Sequence, residues 1–205
     1  MVIALMPVWI TIFTVFLLWF IYWVVAMSNP FTTTLIVGKK GSNKSTDITR
    51  RCLENHNKSF WYYDKDEPKF WKFKKATWNV CTNTKVNMPF KVQKVDIKKL
   101  GDFVPKPFSY VMLDEINLVW DNRKFKEFKE STQEFFRLAR KHRCKLILYS
   151  QTFDCDKKIR DLVDEMWLYQ KVLGVFGYGK RISKMPTIKE NGLTAESQLV
   201  DVIKF

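Results

Sequence analysis

Residues 38–46 (GKKGSNKST) form a small, basic loop directly after the apolar residues 35–37. Gly38, Lys44 and Ser45 fall on the spacing G-x-x-x-x-G-K-[ST], which is typical of a loop that wraps phosphates with backbone N–H groups at a helix N-terminus. In this pattern the lysine neutralises the β- and γ-phosphates, and the hydroxyl after it binds Mg²⁺. The sequence therefore predicts a nucleoside triphosphate site. The predicted binding residues are Gly38, Lys39, Lys40, Gly41, Ser42, Asn43, Lys44, Ser45 and Thr46.

Asn43 stands where the pattern has its last glycine. That position needs a positive φ and close approach of the backbone to the phosphate, and both requirements favour glycine. Asparagine is among the non-glycine residues that best tolerate positive φ, so the loop can still form. Taken alone, the segment also fits a basic turn between a strand and a helix.

Two carboxylates, Asp114 and Glu115, end a second apolar run at residues 110–113. In a triphosphate site the first acid holds Mg²⁺ through water, and the second orients or deprotonates the attacking water. The alternative is a carboxylate pair that caps a helix after a strand. Because both motifs occur in order on separate predicted strands, we favour the catalytic interpretation, with Ser45 and Asp114 as the metal ligands.

Gln151 and several arginines complete the candidate site. Gln151 follows a predicted strand and would emerge at the same sheet edge as Asp114, where an amide can sense the γ-phosphate or place water. Arg160 is our first candidate for a residue that reaches a neighbouring subunit's nucleotide, and Arg123 is the second. Gln151 also fits a turn, and each arginine fits a solvated helix face.

The elements that must position these residues alternate between strand and helix. This alternation predicts an α/β fold with a mostly parallel sheet and flanking helices. Short strands and loops are expected over residues 58–106. The other predicted strands are 31–37, 108–113, 145–150 and 166–172, and the predicted helices are 44–56, 121–142 and 156–164.

Residues 8–27 are almost wholly apolar, and the first charged side chain is Lys39. About 20 such residues span a bilayer as a helix, so we predict one N-terminal transmembrane helix. A cleaved signal peptide and a buried soluble helix are the alternatives, and the length of the stretch argues against both. The excess of Lys and Arg residues lies after this predicted helix. The positive-inside rule therefore places the part of the chain that follows the helix in the cytoplasm.

The 205 residues carry a net charge of +14, with a sequence pI of about 9.6. This surplus favours a polyanionic partner, either nucleic acid or anionic lipid, although a lysine-rich surface without such a role is possible. Residues 59–78 interleave aromatic side chains with lysines, which suits base stacking, a lipid surface or ordinary core packing. Four cysteines without a C-x-x-C pair and two histidines argue against a zinc site.

Taken together, these motifs resemble the N-terminal ATPase domain of zonular occludens toxin. The same domain occurs in the filamentous-phage assembly ATPase, within the wider FtsK/HerA-type group of P-loop ATPases. The resemblance covers roughly residues 32–175. It rests on the succession of residues 38–45, Thr82-Asn83, Leu113-Asp114-Glu115, Arg140-Lys141-His142, Tyr149-Ser150-Gln151 and Ile159-Arg160.

The resemblance implies a RecA-like P-loop core, ATP and Mg²⁺ as cofactors, a homo-oligomeric ring, and ATP-driven movement of single-stranded phage DNA at the host inner membrane, with capsid or other assembly proteins as possible partners. By that likeness Lys44, Ser45, Asp114, Glu115 and Gln151 take nucleotide roles. Two departures from the family are Asn43 and a membrane segment that precedes the ATPase domain instead of following it.

We therefore expect a membrane anchor at residues 1–28, an ATPase domain at 29–178 and a tail at 179–205. The expected function is a membrane-anchored, ATP-hydrolysing motor for virion assembly, DNA packaging or DNA export. The alternatives are a non-hydrolysing scaffold that recruits DNA or capsid protein, and a plasmid DNA-transfer ATPase. A nucleotide kinase ranks last, because no lid or acceptor-site motif supports it.

Overall fold

A computed structural model describes residues 2–27, 29–68, 72–120, 129–152, 157–172, 176–189 and 192–204. Contacts within the chain divide it into two units, one of Met1–Pro30 with Ser59–Ala76, and one of Phe31–Lys58 with Thr77–Phe205. The helices are α1 (Val2–Met27), α2 (Lys44–Asn55), a 3-10 turn (Ile97–Lys99), α3 (Ile116–Val119), α4 (Glu130–Leu138) and α5 (Lys157–Leu162). The strands are β1 (Thr33–Val37), β2 (Ser59–Tyr63), β3 (Phe73–Thr77), β4 (Asn79–Thr82), β5 (Gln93–Lys94), β6 (Ser109–Leu113), β7 (Lys145–Ser150), β8 (Glu165–Val172), β9 (Phe176–Lys189) and β10 (Gly192–Lys204).

The first unit combines α1 with the two-stranded sheet of β2 and β3. The ring of Tyr22 packs edge-on against Tyr63 and Phe73, with ring centroids 6.1 and 5.2 Å away. The large apolar side chains of α1 between Trp9 and Val24 are exposed. Among the described residues, no helix has both the length and the apolar character needed to cross a bilayer.

The second unit contains an eight-stranded sheet in the order β10-β9-β8-β1-β7-β6-β4-β5. Six neighbouring strands of this sheet, β8-β1-β7-β6-β4-β5, run parallel to one another. This confirms the predicted mostly parallel α/β architecture. β9 and β10 extend one side of the sheet in antiparallel register. The predicted boundary between residues 178 and 179 therefore falls within β9, and residues that we assigned to a tail lie in this hairpin.

The central strands are buried on both faces, as expected of a parallel sheet that helices cover. Every residue of β1 and β6 is buried, and so are the last five residues of β7. Leu35, Val111 and Leu148 are fully inaccessible and belong to one apolar cluster that also includes Ile116 and Ile159. Since β1, β6 and β7 are adjacent and parallel, their carboxyl ends meet at one edge of the sheet.

The single long helix predicted over residues 121–142 is wrong in its continuity. Residues 121–128 lie outside the described part of the chain, but Lys129 has an extended backbone (φ −61°, ψ 146°) and α4 begins only at Glu130. The start of α4 contacts a turn near residue 102, which lies far earlier in the chain. Asp102 in this turn accepts hydrogen bonds from the Lys129 ammonium (2.5 Å) and the Ser131 hydroxyl (3.0 Å). The Thr132 hydroxyl also donates to a carbonyl of the same turn. These tertiary contacts override the amphipathic pattern.

Candidate nucleotide-binding site

The loop between β1 and α2 has the backbone conformation that phosphate binding requires. Gly41 and Asn43 both have positive φ, 82° and 64°, and Asn43 precedes the first turn of α2. The Gly38 N–H donates to the Ser150 carbonyl (3.0 Å), which ties the loop to the end of β7. A Cβ at Gly38 would lie 2.9 Å from the carbonyl oxygen of Tyr169, a backbone atom, so only glycine fits there without a shift of the backbone. Asparagine thus takes the left-handed conformation for which the pattern has glycine.

Lys44 projects into the interior of this loop. Its side chain is only 8% exposed, and its ammonium donates to the carbonyl oxygens of Gly38 and Lys39, the latter at 2.9 Å. Burial lowers the pKa of Lys44, and the negative charges of Asp114 and Glu115 act in the opposite direction. The Lys44 ammonium therefore interacts electrostatically with both carboxylates of the acid pair from a partly desolvated position.

The acid pair follows β6 at the same edge of the sheet. Asp114 is 8% exposed, and burial raises the pKa of its carboxyl group while Lys44 opposes the shift. Glu115 has a positive φ of 53°, a conformation that is uncommon outside glycine and recurs at functional sites. The amide of Gln151 donates to the Glu115 carboxylate at 2.8 Å. Gln151, the predicted sensor, is thus hydrogen-bonded to Glu115, the predicted water-activating residue.

The loop and the acid pair border one cleft of about 400 Å³. A triphosphate can lie along its basic side, and the Asp114 carboxylate and the Ser45 hydroxyl are oxygen groups that could hold Mg²⁺. Among the described residues, no group of three or more His, Cys, Asp and Glu side chains could hold a metal. The lining residues are Lys40, Gly41, Asn43, Lys44, Ser45, Thr46, Asp114, Glu115, Gln151 and Lys171.

The structure does not bring the predicted arginine finger into this cleft. Arg160 lies on α5 and is absent from the lining, and its Nε is buried without a hydrogen-bond partner among the described residues. Arg123 lies outside the described residues. A role for Arg160 toward a neighbouring subunit stays a prediction.

Two residues with a place in the site received no role from the sequence. Asn83 follows β4 and clamps the backbone of Asp114: its amide donates to the Asp114 carbonyl (3.0 Å), and its Oδ1 accepts from the Asp114 N–H (2.7 Å). Lys171 lines the cleft from β8. A polar residue at a strand end was the only available signal for Asn83, and neither role can be inferred without the order of the strands.

A buried ionic cluster behind the loop was also missed. One Asp47 oxygen accepts hydrogen bonds from Arg51 Nε (2.7 Å) and from the hydroxyls of Tyr149 (2.8 Å) and Tyr169 (3.1 Å), and the other accepts from Arg50 (2.6 Å). Burial alone would raise the pKa of Asp47, but the charge of Arg51 and these hydrogen bonds hold it below its usual value. The cluster fastens the first turn of α2 to β7 and β8. The i, i+4 spacing of Asp47 and Arg51 was its only sequence signal.

No protein-family model and no curated protein sequence matches the chain. Among solved structures, the chain is similar to the N-terminal domain of zonular occludens toxin from Neisseria meningitidis, with 15% identity and a TM-score of 0.53 over 84% of this chain and 95% of that one. The chain has the fold of that domain. The resemblance expected from the motifs is therefore confirmed for the fold.

The chain is less similar to the genome packaging NTPase B204 from Sulfolobus turreted icosahedral virus 2. The sulfate complex of that protein gives 15% identity and a TM-score of 0.45 over 71% of this chain and 77% of that one. Its complex with ATP-gammaS gives 14% identity and a TM-score of 0.43 over 71% of this chain and 78% of that one.

Proposed function

We propose that the chain is a Mg²⁺-dependent ATPase that drives DNA movement in phage virion assembly, DNA packaging or DNA export. The observation that carries the proposal is that Lys44, Asp114 and Glu115 line one cleft at the carboxyl edge of a parallel sheet, where both carboxylates act electrostatically on the Lys44 ammonium. A cation and two carboxylates in this arrangement suit phosphoryl transfer to water.

Each side chain of the site has a separate role in ATP hydrolysis. The N–H groups of residues 38–46 and the Lys44 ammonium bind the β- and γ-phosphates. Ser45 and Asp114 hold Mg²⁺, which neutralises phosphate charge when bound. Glu115 accepts a proton from the attacking water, and Gln151 holds the Glu115 carboxylate in place through its 2.8 Å hydrogen bond. Asn83 acts indirectly, by fixing the backbone that carries Asp114.

Several features support movement of DNA as the purpose of hydrolysis. The net charge of +14 favours a polyanion. The shared fold with the zonular occludens toxin domain agrees with the family resemblance of the motifs. By that resemblance we propose single-stranded DNA as cargo, a homo-oligomeric ring as the active form, Arg160 as the residue that reaches the neighbouring nucleotide, and assembly proteins as further partners.

We also propose attachment to the host inner membrane through residues 8–27, with the second unit in the cytoplasm. Support comes from the apolar sequence, its helical conformation, and the exposure of large apolar side chains from Trp9 to Val24. The test is flotation of the full chain with lipid vesicles, compared with a chain that starts at Asn29. Equal flotation of the two would contradict the anchor.

The function is tested by the ATPase activity of the full chain in mild detergent, with and without single-stranded DNA. Lys44→Ala is expected to reduce turnover at least hundredfold, because it removes the cation that stabilises the developing phosphate charge. Lys106→Ala is the matched control, since this lysine is exposed and lies outside the lining of the cleft, and it should stay within severalfold of wild type. Undiminished turnover in Lys44→Ala would refute the proposal, and nucleotide binding without turnover in the wild type would favour a scaffold.

A further inference from the structure

A second cavity, of about 350 Å³, lies beside the phosphate cleft in the same unit. The two share Asn43 and Thr46 in their linings, so they adjoin at the first turn of α2. Residues 43, 46, 47 and 50 line one side of the second cavity, and Tyr169, Gly177 and Tyr178 line the other. It therefore lies between one face of α2 and the strands β8 and β9.

The chemistry of this cavity differs from that of the phosphate cleft. Its lining includes two aromatic residues, Tyr169 and Tyr178, and one arginine, Arg50. Its one carboxylate, Asp47, is neutralised by Arg50 and Arg51 and is turned to internal hydrogen bonds. Aromatic and guanidinium planes stack on nucleobases, whereas they offer little to a free phosphate.

Two features hold the wall formed by β9 in place. The hydroxyl of Tyr178 donates to Gln170 Oε1, which connects β9 to β8, and the Lys180 ammonium lies 5.4 Å from the Tyr178 ring centroid. A Cβ on Gly177 would lie 3.2 Å from the Asn43 side chain, so glycine allows β9 to approach the loop closely. The cavity is thus a built recess with positioned walls, and its volume lies within the usual range of ligand pockets.

We propose that this cavity holds the base and ribose of the nucleotide, with Tyr178 as the stacking residue that gives nucleotides an advantage over bare phosphates. The proposal rests on the proposed function, because it requires the phosphates to lie in the loop of residues 38–46. The phosphate chain then passes Asn43 and Thr46, the two residues that both cavities share. The ligand class is a nucleoside triphosphate, because stacking discriminates weakly among bases.

The test compares two ligands on the full chain in detergent with Mg²⁺: ATP and inorganic tripolyphosphate, which has the phosphates without the nucleoside. Wild-type protein should bind ATP roughly tenfold more tightly than tripolyphosphate, a typical effect of stacking one base. Tyr178→Ala should remove most of this difference and leave tripolyphosphate affinity unchanged. Tyr178→Phe keeps the ring and should bind ATP like the wild type, and Phe103→Ala, an exposed aromatic outside both cavities, is the matched control.

The outcomes separate this inference from the function on which it rests. If wild-type protein binds the two ligands equally, or if Tyr178→Ala weakens both equally, the base site is overturned while the phosphate loop stands. Lys44→Ala should weaken both ligands. If neither ligand binds to the wild type, the proposed function and the base site both fail. The wild-type comparison needs no substitution, so it decides the matter even where a variant does not fold.

Discussion

The first turn of α2 separates two sets of buried ionic groups that behave in opposite ways. In the phosphate cleft, burial lowers the pKa of Lys44 and raises that of Asp114, so both groups are shifted toward their neutral forms. In the cluster behind the loop, the pKa of Asp47 is lowered and that of Arg51 is raised, so both groups are shifted toward their charged forms. The buried charges of the cluster are compensated by partners within the protein, whereas those of the cleft are not.

This difference assigns separate roles to the two regions. Buried charges are costly unless they are paired and hydrogen-bonded, and the cluster meets that condition with two arginines and two tyrosine hydroxyls. The charges of the cleft gain full compensation only when a polyanion and a divalent cation lie between them. The cluster therefore holds the helix, and the cleft is prepared for a charged ligand.

The largest expected effect lies in the cleft. Glu115→Gln removes the group that accepts the proton from water, so turnover should fall by about 10²- to 10⁴-fold while ATP affinity stays near that of the wild type. Single-turnover hydrolysis and equilibrium binding measure the two quantities. Glu134→Gln, an exposed change on α4, is the control. A loss of binding equal to the loss of turnover would give Glu115 a structural role instead.

A smaller effect, on stability, is expected in the cluster. Asp47→Asn leaves Arg50 and Arg51 without a buried counter-charge, which should cost roughly 3 kcal/mol and lower the melting temperature by about 6–12 °C. Asp102→Ala breaks an ion pair between half-exposed partners and should change the melting temperature far less. Similar shifts in the two variants would contradict the view that the Asp47 cluster stabilises the fold.

The smallest expected effect is the change in melting temperature caused by Asp114→Asn, which should have the opposite sign to the change caused by Asp47→Asn. Without nucleotide, Asp114→Asn should raise the melting temperature at pH 7, because burial disfavours the ionised form of the Asp114 carboxyl group. Asp47→Asn should lower it, because the pKa of Asp47 lies below its ordinary value of 3.8 in the folded state. The cause in each case is linkage between proton binding and folding.

The pH dependence sharpens this contrast. The advantage of wild type over Asp47→Asn is present above pH 3.8 and is lost as the pH falls through the lowered folded pKa. The advantage of Asp114→Asn over wild type grows as the pH rises from 3.8 to the raised folded pKa, and then stays constant. Melting curves from pH 3 to pH 8 measure both trends, and parallel trends would contradict the comparison.

The central sheet and the loop could be predicted from the sequence because their signals are local. Apolar runs mark β1, β6 and β7, and the residues that end these runs carry the chemistry. Parallel strands bring their carboxyl ends to one edge, which is why Lys44, Asp114 and Gln151 could be expected together. The conformation of Asn43 followed from steric rules that apply to any chain.

The remaining features depend on contacts between distant segments. The clamp of Asn83 on Asp114 requires that β4 lie beside β6, and periodicity does not reveal strand order. The start of α4 at Glu130 coincides with contacts to Asp102, about 30 residues earlier in the chain, which periodicity does not reveal. The second cavity requires β9 to pass α2, and no sequence signal assigned a role to Gly177 or Tyr178 at the end of the predicted ATPase domain.

The most direct test of the account is an experimental structure of the full chain with Mg²⁺ and a non-hydrolysable ATP analogue. We expect the triphosphate in the loop of residues 38–46, the Lys44 ammonium moved from the Gly38 carbonyl to the phosphates, and Asp114 beside the metal ion. A triphosphate bound elsewhere, with Lys44 still on the carbonyl oxygens of the loop, would contradict the central claim.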